Sequence, residues 1–154
     1  MDMINPATGE KIDTITFATK DEVNQAIEKS KQAQLEWEKI PQPTRAEHVK
    51  LLIPLFEQNK DELAQLYVKD QGKTLAEAQG EIDKSIQFID YMTSLSMSNK
   101  GEVLQNSVEN ETIQLTKKPI GVTAGIVPWN APILVLLRKV LPAIVTGCSV
   151  IILS

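Results

Sequence analysis

Apolar residues recur along this chain at two different periods, and the change of period divides it. Val23, Ala26, Ile27, Ser30, Ala33 and Trp37 lie on one helical stripe. Thr19 and Glu22 precede the stripe as a capping box, so a helix is predicted to run to about Trp37. Thr44 and Glu47 repeat the box ahead of a second helix with Val49, Leu52, Ile53 and Phe56 inward. Pro54 inside it predicts a kink or an early end, because proline removes a helical hydrogen bond and crowds the preceding turn. Residues 61–70 read as a third helix stopped near Gly72. Thr74 and Glu77 cap a fourth, long one with Ile82, Ile86, Ile89 and Met92 or Thr93 on one face, so four helices are predicted for the first hundred residues.

Period-two alternation flanks this helical block. Ahead of it, NPATGEK at residues 5–11 has Pro and Gly at turn spacing and leads into Ile12, Ile15 and Phe17, which predicts a hairpin or an edge strand. After it, residues 101–118 alternate through Val103, Val108, Ile113 and Leu115 around the polar Glu109-Asn110-Glu111, which predicts two strands and a turn. The last stretch reads as strand (120–127), loop (Pro128-Trp129-Asn130), helix (133–145), a helix end at Gly147 and a further strand (149–153).

Composition adds limits. With 42% hydrophobic and 23% charged residues the chain is ordinary globular material, and a net charge of −4 provides no basic footprint for nucleic acid or an anionic membrane surface. Arg138 and Lys139 are the only charges after Lys118, which leaves −6 on the rest and marks the tail as core-like. Residues 131–154 are apolar enough to raise a membrane span, but Arg138, Lys139, Pro142 and Gly147 interrupt the run, so no membrane partner is expected. The N-terminus shows no basic region followed by an apolar stretch, and the single cysteine, Cys148, excludes an internal disulfide framework; both point to the cytoplasm. No metal site is expected.

In open α/β sheets ligands gather beyond the carboxyl ends of strands, which is where Asn130 falls. Its amide could donate to a developing oxyanion, although local structure alone reads it as a turn residue or helix cap. Lys139, by itself, reads as a helix lysine with its ammonium in solvent, and His48 as a solvated helix residue.

The run Gly121-Val122-Thr123-Ala124-Gly125-Ile126-Val127-Pro128-Trp129-Asn130, then Pro132, Arg138-Lys139 and Pro142-Ala143, resembles the aldehyde dehydrogenase superfamily. NPATGE, the helix with Ala26, Ala33 and Trp37, Arg45 and Gly72-Lys73 fit the same family in the same order, over nearly the whole chain. Tyr91, Gly101-Glu102 and residues 119–123 look most like its lactaldehyde or glycolaldehyde dehydrogenase branch, while betaine-aldehyde and succinate-semialdehyde enzymes share most of these residues.

The resemblance implies an incomplete α/β aldehyde dehydrogenase fold: an N-terminal helical layer, an antiparallel strand pair and the start of a Rossmann-like parallel sheet. By it, residues 1–100 form the helical part of a cofactor-binding domain, 101–118 a strand pair of oligomerisation type, and 119–154 the first, truncated βαβ unit. Family members oxidise an aldehyde to a carboxylate with NAD or NADP: a cysteine thiolate attacks the carbonyl, hydride leaves to the nicotinamide, and a glutamate-activated water hydrolyses the thioester. Asn130 would hold the substrate oxyanion, Ile126, Val127, Pro128 and Trp129 would line the cofactor cleft, and Lys139 matches a lysine that assists proton movement.

Leu153 departs from the pattern, standing where the family has a lysine that contacts the adenosine ribose; leucine has no donor, which puts cofactor binding in doubt. Cys148 matches a small buried residue rather than the nucleophile. The Gly-rich turn, the glutamate base and the nucleophile are expected beyond Ser154. The chain is therefore expected to lack turnover alone and, with an unpaired apolar sheet edge, to associate with itself or a complementing chain. The alternative is a non-catalytic interaction or oligomerisation module derived from the family.

Overall fold

The computed structural model describes residues 1–153; the last residue of the segment 119–154, Ser154, lies outside the described residues. An N-terminal hairpin comes first, β1 (Asp2–Ile4) antiparallel to β2 (Lys11–Thr14). A helical layer follows: α1 (Lys20–Trp37), α2 (Gln42–Lys50), α3 (Leu52–Gln58), α4 (Lys60–Gln71) and α5 (Leu75–Ser96). The antiparallel pair β3 (Glu102–Gln105) and β4 (Thr112–Leu115) then leads into β5 (Val122–Ile126), α6 (Pro132–Val145) and β6 (Ser149–Leu153). β5 and β6 are parallel, with Val122 opposite Ser149 and Ile126 opposite Leu153. This is a mixed α/β architecture, with the helical layer, strand pair and opening parallel strands that the periodicity implies.

Local chemistry explains most boundaries. Thr19 and Thr74 cap α1 and α5 with complete capping boxes, each hydroxyl accepting from the amide three residues on while Glu22 and Glu77 reach back. Gly72 ends α4 in the left-handed conformation at φ 68°, and a Cβ there would stand 2.8 Å from Pro6 Cγ in the N-terminal turn.

The second predicted helix is two helices, so the layer has five rather than four. Thr44 and Glu47 form no capping box, since α2 already begins at Gln42, with Pro43 in its first turn preset for helical φ. Pro54 would crowd the carbonyl four residues earlier, and the break falls there: α2 stops at Lys50 and α3 restarts at Leu52, placing Pro54 in a first turn that needs no N–H. The inward face of α1 also differs. Val23 and Ala33 are exposed, whereas Gln34 is buried and its amide donates to the Gly147 carbonyl at 3.2 Å and to Glu38 at 2.8 Å. Val108 lies in the β3–β4 turn rather than in a strand.

Helix α5 is the spine. On one side Ile89 meets Val49 of α2 and Leu137, Leu141 and Val145 of α6; on the other Ile82 and Ala78 meet Ala64 and Tyr67 of α4. Phe56 and Ile133 pack against both clusters. The parallel pair is sandwiched. Residues 122, 124, 126, 149, 151 and 153 share one face by alternation, and Ser149 there bonds Ser30 of α1; Gly125, on the other face, lies under Lys139 of α6. Cys148 is buried at the amino end of β6, and His48, although exposed, sets its ring edge against Trp37.

Candidate active site

Between β5 and α6 the chain turns through Val127 to Ala131 at the carboxyl end of the parallel strands. The Val127 amide donates to the Leu153 carbonyl at 2.9 Å, extending the ladder by one bond into the turn. Pro132 opens α6, where its missing N–H costs nothing, but Ala131 provides no side-chain cap. Trp129 and Ile126 are 80% and 75% exposed, and Pro128 and Asn130 are exposed beside them. Leu153, across from Ile126, adds a third apolar side chain to this end and carries no donor.

Ile126, Val127, Pro128, Trp129 and Asn130 therefore form one continuous rim. Lys139 lies apart from it, roughly 10 Å down the helix from Pro132. Its stem crosses Gly125, where a Cβ would come within 3.1 Å of Lys139 Cβ, and it lines a groove of about 970 Å³ together with Thr123, Pro142 and Val150. Cys148 is at the opposite end of the strand pair from Asn130, roughly 16 Å away at the rise of a strand. It is 4% exposed, with Thr146 Oγ1 at 3.8 Å from its sulfur, so no accessible thiol faces the rim.

Two groups were invisible to periodicity. Arg45, 5% exposed, donates from Nε to the Val145 carbonyl at 3.2 Å, and from Nη1 to the carbonyls of Ile40 and, at 3.4 Å, Glu38. It thereby closes the carboxyl end of α6 onto the α1–α2 loop, a favourable place for a cation. Burial lowers its pKa while Cys148 opposes the shift, and the guanidinium stays charged.

The second group lies under the turn. Lys73 Nζ donates to the Asn130 carbonyl at 2.6 Å and to Glu81 Oε2 at 2.7 Å, and stands 4.9 Å from the centre of the Tyr67 ring. The Tyr67 hydroxyl donates to the other Glu81 oxygen. Burial, and then the bonded Glu81 carboxylate, push the Tyr67 phenol well above its ordinary pKa, while the Ile133 amide at the start of α6 pulls it the other way. The Gly72-Lys73 pair was legible as a motif; its partner 57 residues away was not.

A family profile described as "Aldehyde dehydrogenase family" matches residues 1–153. The lactaldehyde dehydrogenase of Escherichia coli K12 is 34% identical over 152 residues, covering 99% of this chain and 32% of the relative. A succinate-semialdehyde dehydrogenase [NADP(+)] of the same organism is 33% identical over 151 residues, 98% of this chain and 31% of the relative. Among solved structures, betaine aldehyde dehydrogenase from Staphylococcus aureus in complex with NAD+ superposes with a TM-score of 0.94 at 30% identity, over 99% of this chain and 31% of that one. The chain thus spans about a third of the length of the relatives it matches.

Proposed function

This chain belongs to the aldehyde dehydrogenase family, and from that membership we propose that it forms the N-terminal part of an NAD- or NADP-dependent enzyme oxidising a small aldehyde to a carboxylate. The observation that carries the proposal is the exposed Asn130 at the carboxyl end of β5, in a turn whose main chain is held from below by Lys73. A side-chain amide there can donate to the oxygen of an aldehyde under attack, where charge develops. Lactaldehyde or glycolaldehyde is the proposed substrate, supported by residues 119–123 and by the similarity to the lactaldehyde enzyme.

The rim suits a nicotinamide cofactor in part. Exposed Ile126, Pro128 and Trp129, with half-buried Val127 between them, present an apolar wall against which a flat ring can lie, whereas Leu153 offers nothing to a ribose hydroxyl. When bound, the nicotinamide supplies the hydride acceptor. Lys139 is assigned to proton movement in the neighbouring groove. Residues 1–154 alone are proposed to give no turnover, because their single thiol is buried at the far end of the strands from Asn130.

A second reading, an interaction or oligomerisation module, is favoured by one observation. Every residue of β3 and β4 is exposed, and Leu104, Ile113 and Leu115 share a face. A second copy or a complementing chain is its proposed partner.

The first reading is tested with lactaldehyde, glycolaldehyde and betaine aldehyde, following NADH and NADPH. The 154-residue chain is expected to stay at the blank. A chain that also carries the rest of the family's fold is expected to turn over and to lose on the order of 100-fold in kcat on Asn130→Ala. Turnover unaffected by that substitution would remove the oxyanion role, and turnover by residues 1–154 alone would remove the inactivity claim.

A further inference from the structure

We propose that Lys73 is a positioning residue for the site turn: its ammonium tethers the main chain at Asn130, and Glu81 and Tyr67 aim it. The proposal rests on the oxyanion reading of Asn130 and explains how the side-chain amide is held in a turn with little internal support.

Besides the tight bend at Trp129-Asn130, the main-chain bonds at this turn come at its ends, from Val127 to Leu153 and from Val135 to Ala131, with the Ile133 amide just beyond bonding the Tyr67 phenol. Ala131 makes no side-chain cap, and Pro128 and Pro132 have no amide to donate. The Lys73 contact at 2.6 Å is the one side-chain bond that reaches the turn between those ends. A charged donor to a carbonyl is stronger than a neutral one, and it acts on the residue whose side-chain amide carries the proposed oxyanion role.

Lys73 is itself restrained, which a long surface lysine would not be. Glu81, its side chain 11% exposed, holds the ammonium from one side and the Tyr67 ring lies against it on another. Tyr67, 4% exposed, is anchored in the α4–α5 core and spends its hydroxyl on the same carboxylate. The left-handed Gly72 directs Lys73 out of α4 toward the turn. The helical layer thus fixes the geometry of a site built on the sheet.

The test is backbone mobility, read as nitrogen-15 order parameters on the deuterated 154-residue chain. In the unaltered chain Trp129, Asn130 and Ala131 are expected near the rigid value of about 0.85, falling below about 0.6 in Lys73→Met while the centres of β5 and α6 keep their values. Lys73→Arg, which retains charge and donors, is expected to keep the turn rigid, and Glu81→Gln to loosen it partly. If Lys73→Met does not fold, Lys73→Arg against Glu81→Gln carries the comparison. A turn already mobile in the unaltered chain, one unchanged by Lys73→Met and Glu81→Gln, or a loss spread evenly over the molecule would overturn the tether. Asn130→Ala keeps the carbonyl and should leave the order parameters unchanged; a fall equal to that of Lys73→Met would also overturn it. No substrate is present, so the outcome is independent of whether the amide meets an oxyanion.

Discussion

Arg45 shows how much one buried side chain can organise. Its guanidinium satisfies carbonyls at the end of α6 and in the α1–α2 loop and has no carboxylate partner among the described residues. Removing it strands acceptors that burial keeps from water, and leaves a cavity beside Gly147, where an added Cβ would lie 3.1 Å from Arg45 Cζ. Arg45→Ala is expected to lower stability by about 3 kcal/mol, measured by urea unfolding. Arg45→Lys should recover only part of it, since an ammonium lacks the planar fork. An alanine variant within ~0.5 kcal/mol of the parent would contradict this account. Asn130 is the opposite case, with an exposed side chain and a role proposed only in chemistry.

At the scale of elements, legibility followed distance along the chain. The capping boxes at Thr19 and Thr74 are three-residue events and were readable in full. The Thr44 pattern misleads because Pro43, one residue earlier, has a stronger claim on the helix start. Periodicity puts Gln34 and Arg45 on no inward face because their burial depends on carbonyls of α6 and its following loop, about a hundred residues away. The rim from Ile126 to Asn130 was legible as a strand-to-helix junction, while the Lys73–Glu81–Tyr67 support beneath it joins separate helices and left no periodic trace.

The two readable boxes also predict an acid response. Hydrogen bonds from the Thr19 backbone and from the Thr74 hydroxyl hold Glu22 and Glu77 below the ordinary glutamate pKa. A carboxyl with a depressed folded pKa stabilises the fold above its unfolded pKa, and the contribution is lost as pH falls through the folded value. Stability of the parent chain should thus decline below about pH 4.5 more than that of the Glu22→Gln/Glu77→Gln double variant, by urea midpoints across pH 3–6. Parallel declines would show that the boxes contribute no pH dependence.

For the whole molecule the notable property is that all described strands sit in two-stranded sheets, so each presents an open edge. β5 and β6 are at least covered by α1 and α6 on their faces, whereas every residue of β3 and β4 is exposed. Self-association through the β3–β4 face is expected in sedimentation velocity, and Leu104→Lys with Ile113→Lys should shift the population toward monomer. A parent chain that sediments as monomer throughout the micromolar range would remove the hairpin as an interface. No described helix is long and apolar enough to cross a membrane.

Gly72 connects these scales. Its left-handed backbone ends α4, its bare α-carbon admits Pro6 of the N-terminal turn, and it releases the chain toward Lys73. Every single-base missense change of a glycine codon installs a side chain carrying a Cβ, so each would strain the backbone and collide with Pro6 together. In genetic terms the position has no neutral neighbour: compensation would require a second change at Pro6 as well as a backbone that tolerates φ 68°.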